Sequence, residues 1–325
     1  ILDRGEKFQF AIVTDRTGGM RPGIFEAAAE KLNLLQPAFV MSVGDLIEGG
    51  RISREELIQQ WEEFDAIVDT LNMPFFYVPG NHDVSNSEDG RSLWEERVGP
   101  LFYHFLYKDV LFISMNSDHD TLARLGDAQI EYVKKALAEN ANVRWTFIFY
   151  HKPIFAAENS RWDEIEAVLK DRPHTVFSGH RHNYMNYERH TRDYFVLGTT
   201  GGGMTHQGLQ MGHLDHIVWV TVDEGEPHIA NLLLDGILDK NLRPEWMAEL
   251  SLPLLQGRAT PDTHVWASEG PWESLEATLN YQNPLPVPLK VISRIRPSEH
   301  FSPTPQRIEV ALGPAENSTP ATHST

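Results

Sequence analysis

Short apolar runs, each closed by a polar residue, set the rhythm of the first half of the chain. They are Phe10-Ala11-Ile12-Val13-Thr14, Phe39-Val40-Met41-Ser42-Val43, Phe75-Phe76-Tyr77-Val78, Trp145-Thr146-Phe147-Ile148-Phe149-Tyr150 and Thr175-Val176-Phe177-Ser178. Runs this short and this continuous read as strands buried on both faces of a sheet. Helical periodicity lies between them. A helix is expected from about Pro22, with Ile24, Ala28, Leu32 and Leu35 on one face, stopping before Pro37. Ser53-Arg54-Glu55-Glu56 is a capping box, and the helix behind it puts Leu57, Trp61, Phe64, Val68 and Leu71 on one stripe. Strand, helix, strand, helix, strand is the pattern of a parallel α/β sheet.

After residue 84 the pattern loosens. A short helix is expected near Leu93 and Trp94, then a hairpin of 103–107 and 110–115 about Lys108-Asp109. Asp127 is expected to cap a helix with Ile130, Val133 and Leu137 facing inward, and a further helix covers about 160–171. Strands at 184–188, 194–197, 217–222 and 229–234 follow with no helix between them. They predict a second sheet packed on the first, making a four-layer α/β/β/α sandwich.

Near residue 240 the composition changes: 12 of the 20 prolines lie beyond that point but only three of the 23 glycines. The expected division is 1–239 as the main domain, 240–312 as a β-rich, Pro-rich segment, and 313–325 as a disordered Ser/Thr/Pro-rich tail. Residues 275–279, 289–292 and 307–312 alternate as strands do. The phrase Tyr281-Gln282-Asn283-Pro284-Leu285-Pro286-Val287-Pro288 looks like the opening of an immunoglobulin-like sandwich, incomplete here.

The residues that end the apolar runs change the picture from packing to chemistry. In order they are Asp15, Gly44-Asp45, Asn81-His82-Asp83 after Pro79-Gly80, His151, and Gly179-His180-Arg181-His182. Such side chains have no packing reason to follow an apolar strand, and the carboxyl ends of strands are where open α/β sheets bind ligands. This order resembles the calcineurin-like metallophosphoesterase family, whose signature is D-x-H, GD, GNH(D/E), H and GHxH. The resemblance covers about the first 235 residues. One position departs from it: the His expected two residues after Asp15 is Thr17.

The resemblance implies two divalent transition-metal ions, Mn, Fe, Zn or Ni, bridged by Asp45. Asn81, His151 and His180 would complete one site, and Asp15 with His182 the other, its ion more labile for want of an imidazole at Thr17. Hydrolysis of a small phosphomonoester or phosphodiester by metal-activated water is the implied reaction. His82 would assist the leaving group, and Asp83 would hold the His82 ring by accepting its other N–H; an Asp at this place equally reads as the residue that caps and closes its turn. Arg16 is a candidate partner for a substrate phosphate, and equally reads as a solvated surface arginine. His206, with Thr17, is a further candidate substrate contact, at the end of the glycine-rich stretch 201–203. His213 and His216 read as surface or core residues.

Charge narrows the substrate. Lys+Arg 28 against Asp+Glu 46 gives a formal charge of −18, which disfavours nucleic acid as partner and a nuclease as function. The chain has no cysteine, so disulfides and thiolate zinc sites are excluded. No apolar run approaches the roughly 20 residues of a membrane span. The chain opens at Ile1 with no signal-peptide pattern. The sandwich-like appendage points to a periplasmic or extracellular location. The alternative reading is a degenerate scaffold of the same fold that binds without turnover, and no protein partner can be named from the sequence.

Overall fold

The computed structural model describes residues 7–50, 52–84, 88–119, 122–205, 208–234, 236–255, 276–279, 281–294, 302, 304–314 and 321–324. The chain divides into two compact units, 1–245 and 246–325.

Strand β1 (Phe8–Val13) opens the first unit, followed by α1 (Ile24–Leu35), β2 (Val40–Ser42), α2 (Arg54–Val68) and β3 (Phe75–Phe76). Then come α3 (Asn81–Val84), α4 (Glu88–Arg97), β4 (Tyr103–Tyr107), β5 (Val110–Ser114), β6 (Asp118–His119) and β7 (Leu122–Ala123). Next are α5 (Asp127–Glu139), β8 (Trp145–Phe149), α6 (Trp162–Leu169), β9 (His174–Ser178), β10 (Met185–Arg189) and β11 (Arg192–Val196). Strands β12 (His216–Val222), β13 (His228–Leu233) and β14 (Gly236–Asp239) close the unit.

Two six-stranded sheets result, with strand orders β14-β13-β12-β1-β2-β3 and β10-β11-β9-β8-β5-β4. Within the first, β1, β2 and β3 run parallel; within the second, β5, β8, β9 and β11 do. The late strands do not form a sheet of their own, as their succession suggested. β10 and β11 extend the second sheet beside β9, whereas β12 returns to pair with β1 in the first, Phe8 opposite Val222. The four-layer architecture stands; its strands are dealt between both sheets.

A phenylalanine layer fills the space between the sheets. Phe10 of β1 stacks on Phe39 at 5.3 Å and meets the edges of Phe112 at 5.2 Å and Phe147 at 5.0 Å. The opposite face of β1, Ala11 and Val13, packs on Phe25, Leu32, Trp61 and Phe64 of α1 and α2. Both faces of the first strand are therefore covered. β3, on the edge of its sheet, has half-exposed phenylalanines instead of the fully buried ones its apolar run suggested. On the far side, Trp162 of α6 meets Tyr150 at 5.3 Å and Tyr194 at 6.1 Å.

The helix predictions hold unevenly. The Ser53 capping box is present, with the Ser53 hydroxyl accepting from Glu56 N–H and the Glu56 carboxylate from Ser53 N–H. α1 turns a slightly different stripe inward, Phe25, Ala28, Ala29 and Leu32, and leaves Leu35 exposed. Asp127 is not the cap of α5: Gly126 holds that position, and the Asp127 carboxylate accepts from Arg161 at 2.6 Å.

Helix α7 (Glu245–Leu255) begins at the last residue of the first unit, and the second unit continues with β15 (Glu276–Leu279), β16 (Leu289–Arg294), β17 (Arg307–Leu312) and β18 (Ala321–Ser324). β16 and β17 form an antiparallel hairpin. β15 pairs with β18, so part of the expected tail is a strand; its residues 315–320 lie outside the described residues.

Candidate metal centre

Five strand ends of the two sheets converge. Asp15 follows β1, Asp45 follows β2, Asn81 follows β3, His151 follows β8, and His180 and His182 follow β9. Two groups of these side chains could each hold a metal ion: Asp45, His151 and His180, and Asp15, Asp45 and His182, with the ligand atoms of each group within 4.8 Å of one another. Asp45 belongs to both. His151 Nε2 lies 3.0 Å from Asp45 Oδ2 and 3.2 Å from His180 Nδ1, and His182 Nε2 lies 3.2 Å from Asp15 Oδ1.

The local backbone is bent to bring this about. Asp45, His180 and His182 are all left-handed, with φ of 57°, 72° and 49°. Non-glycine residues avoid that region, at a cost of about 1–3 kcal/mol each, and such strain gathers at functional sites. The motif glycines follow from close approach. A Cβ at Gly80 would lie 2.2 Å from Asp45 Oδ1, and one at Gly179 would lie 2.3 Å from Asp15 Oδ2.

Main-chain partners fix the imidazoles. His151 donates Nδ1–H to Val43 O at 3.0 Å, which leaves Nε2 toward Asp45. His182 donates Nδ1–H to Gly203 O. Burial opposes charge on both Asp45 and His151, yet their contact outweighs it: the carboxyl is held down at about 2 and the imidazole is raised to about 9. His180, desolvated and beside that charge, drops to about 4. The cluster thus attracts a positive charge and places a proton there; metal binding must displace it. Imidazole with carboxylate suits a divalent transition metal, and Asn81 carries a buried Oδ1 that has no hydrogen-bond partner among the described residues. The donor set fits such an ion. Among the described residues the second group has one imidazole where the first has two.

His82 stands next to the cluster, 32 % exposed, with Nε2 4.0 Å from Asp45 Oδ2. Its Nδ1–H goes to the main-chain oxygen of Glu48 at 2.5 Å, not to Asp83. Asp83 is fully buried and accepts from four amides: Gly80 and Asp45 N–H at 2.8 Å each, Leu46 at 2.6 Å and Ile47 at 3.2 Å. It is the anchor of the Asp45 loop. Burial, helped by the Asp45 charge, pushes its carboxyl up to about 6 against the pull of those amides. No sequence signal gave the Glu48 contact, because the acceptor is a peptide oxygen.

The expected substrate contacts fare differently. Arg16 is buried; it donates to Leu46 O at 2.9 Å and stacks over Phe64 at 5.6 Å, so its guanidinium serves the Asp45 loop and the helix layer instead of a phosphate. Thr17 is buried too, and its N–H meets Asp45 O at 3.3 Å. Glu48 lies over this loop. Burial raises its carboxyl, but the Met20 and Gly19 N–H groups, at 2.8 and 3.1 Å, help to hold it below the usual range. His206 lies outside the described residues. His216 is a satisfied core residue: Nε2 accepts from Gly198 N–H at 3.0 Å, Nδ1 bonds Asn231 at 2.9 Å, and burial lowers it to about 4.

No curated protein matches the chain. Solved structures share its fold at low identity. A dimetal phosphatase from Danio rerio is 14% identical, with a TM-score of 0.56, over 71% of this chain and 98% of that one. The purple acid phosphatase PPD1 from yellow lupin (Lupinus luteus) seeds is 16% identical, with a TM-score of 0.56, over 72% of this chain and 53% of its own. GAP50, the anchor in the inner membrane complex of Plasmodium, is 17% identical, with a TM-score of 0.52, over 70% and 85%. The sequence profile of calcineurin-like phosphoesterases matches residues 8–184, the span that carries every strand-end residue above up to His182, and the chain belongs to that family.

Proposed function

We propose that the chain hydrolyses a small phosphomonoester or phosphodiester at a centre of two divalent cations. The observation that carries this reading is the sharing of Asp45 by two adjacent groups of ligand atoms, with His82 Nε2 4.0 Å from the shared carboxylate. Asn81, His151 and His180 would hold one ion with Asp45, and Asp15 and His182 the other. Two such ions would neutralise charge on the phosphoryl oxygens and make water a nucleophile near neutral pH.

The chain's own residues do the rest. Phosphoryl transfer needs mainly positioning and fixed charge. The Val43 and Gly203 carbonyls fix the rings of His151 and His182, and the Asp83 anchor fixes the Asp45 loop. His82, its Nδ1–H held by Glu48, presents Nε2 toward the cluster. Protonated, it would give that proton to the leaving oxygen as the P–O bond breaks. A binding protein without turnover is the second reading, favoured by the single imidazole of the Asp15 group among the described residues.

Turnover of p-nitrophenyl phosphate and its bis-ester with Mn²⁺, Zn²⁺ or Ni²⁺ separates the two. We expect hydrolysis of at least one ester, and His82→Ala to lower kcat by about 10²–10⁴. No cleavage of either ester with any of the three metals, and no effect of His82→Ala, would sink the hydrolase and leave the binding protein.

A further inference from the structure

The two groups of the centre are held in different ways. His151 leans on Val43, close to the end of β2. His182 leans on Gly203, in a loop, so the place of that loop sets the direction of the ring.

One ion pair fixes the loop. The Arg21 guanidinium grips Asp215 with two prongs, Nη1 to Oδ2 at 2.8 Å and Nη2 to Oδ1 at 2.5 Å. Its other donors go to the loop itself, Nε to Gly202 O at 2.9 Å and Nη2 to the Thr199 hydroxyl at 3.1 Å; its main-chain N–H reaches Gly201 O at 2.8 Å. Asp215 in turn accepts from the Thr199 hydroxyl at 2.7 Å and Gly201 N–H at 3.2 Å. The loop then returns to the first strand, where Thr200 and Gly202 N–H donate to Asp15 O at 3.0 and 2.9 Å. A continuous path runs from Asp215 through Arg21 and 199–203 to both Asp15 and His182. The pair is only 25 % and 18 % exposed, so its hydrogen bonds are partly shielded from water.

We propose that Arg21 and Asp215 are positioning residues for the cation held by Asp15 and His182, acting through the Gly203 carbonyl on the His182 ring. The proposal rests on the two-cation reading above. Among the described residues that group has a single imidazole, so the aim of the ring decides its affinity more than in the Asp45–His151–His180 group. Partners of this kind behind a metal-bound histidine change affinity by about 10–100-fold. Lysine cannot replace the fork, because it offers one point of charge where two parallel bonds and a third to Gly202 are needed.

The test uses the full chain stripped with chelator and titrated with Mn²⁺, for wild type, Arg21→Lys and Asp215→Asn. Bound ions are counted by elemental analysis, affinities come from competition, and melting in chelator controls for folding. We expect two ions in wild type. In each variant one ion should keep its affinity and the other weaken by about 10–100-fold. Melting in chelator should fall by only about 2–4 °C for Arg21→Lys, the cost of the lost prong and the Gly202 bond. Because the pair acts as one unit, the double variant should be no weaker than the worse single one. Two ions bound as in wild type would overturn the proposal. So would equal weakening of both ions together with a larger fall in melting, the mark of a merely structural tie. A wild-type chain that binds no ion overturns the two-cation reading itself and so is told apart from either outcome.

Discussion

At the residue scale, Asp83 carries the clearest consequence. Four amides point at one buried carboxylate, three of them from Asp45, Leu46 and Ile47. Asp83→Asn keeps the shape but replaces one acceptor with an NH₂, so two N–H groups lose their partner. Each such buried donor costs about 1–3 kcal/mol, and we expect roughly 3 kcal/mol in all, measured as a shift of the denaturant midpoint in chelator. His82→Ala, at a 32 % exposed site, should lose under about 1 kcal/mol in the same experiment. Equal stability of Asp83→Asn and wild type would remove the anchor role. This residue also marks how far sequence reading reached. The gathering of Asp15, Asp45, His151, His180 and His182 was legible because their chemistry is wrong for a packed strand end. The loop-closing role of Asp83 was one of two open readings, since Asp often caps turns; the duty of Arg16 was not legible, because its partners are a peptide oxygen and a phenyl ring that any sequence can supply.

Elements were legible where the signal is local. Ser53 caps α2 because its reciprocal partner stands three residues on, within one turn. Asp127 failed as a cap because a competitor, Arg161, lies 34 residues away and takes the carboxylate. The same non-local pairing makes a prediction between α6 and β10. Arg189 binds Glu166 through Nε at 2.6 Å and Nη2 at 2.7 Å. Burial raises the Glu166 carboxyl, but Arg189 outweighs it and the net shift is downward from 4.5. A carboxyl lowered on folding adds stability above its unfolded pKa, and that stability is lost as the pH falls through the folded value. Glu166→Gln should therefore cost about 1 kcal/mol near pH 7, a modest figure because Arg189 is 38 % exposed. The gap between variant and wild type should close below pH 4.5. Chemical unfolding at pH 7 and pH 3.5 checks this; a gap that does not shrink in acid would exclude the ion pair as its source.

At the scale of the molecule, the chain order of the strands was a poor guide to their sheet. β12 lies far along the chain from β1 yet pairs with it from Phe8↔Val222 to Ile12↔Val218, and nothing in either strand's own pattern names the other. The four layers were expected from a second sheet made of the late strands; they form instead because two sheets covered on both faces need helices outside and a shared core between. The position of the centre follows from the same topology. Both sheets deliver their parallel strands' carboxyl ends to one place, so every residue proposed to hold a cation lies between Asp15 and His182, and the last strand of the two sheets ends at Asp239. The first compact unit closes soon after, at Glu245. It contains both sheets, the Arg21–Asp215 pair and the His82–Glu48 contact. A chain ending at residue 245 is therefore expected to fold alone, to bind Mn²⁺ with the affinities of the full chain, and to keep kcat/KM within about threefold. Circular dichroism, metal titration and p-nitrophenyl ester turnover, compared between the two lengths, measure this. Loss of metal binding with intact folding would mean that residues after 245 contribute to the centre, and the two-sheet unit would then not suffice for the chemistry proposed for it.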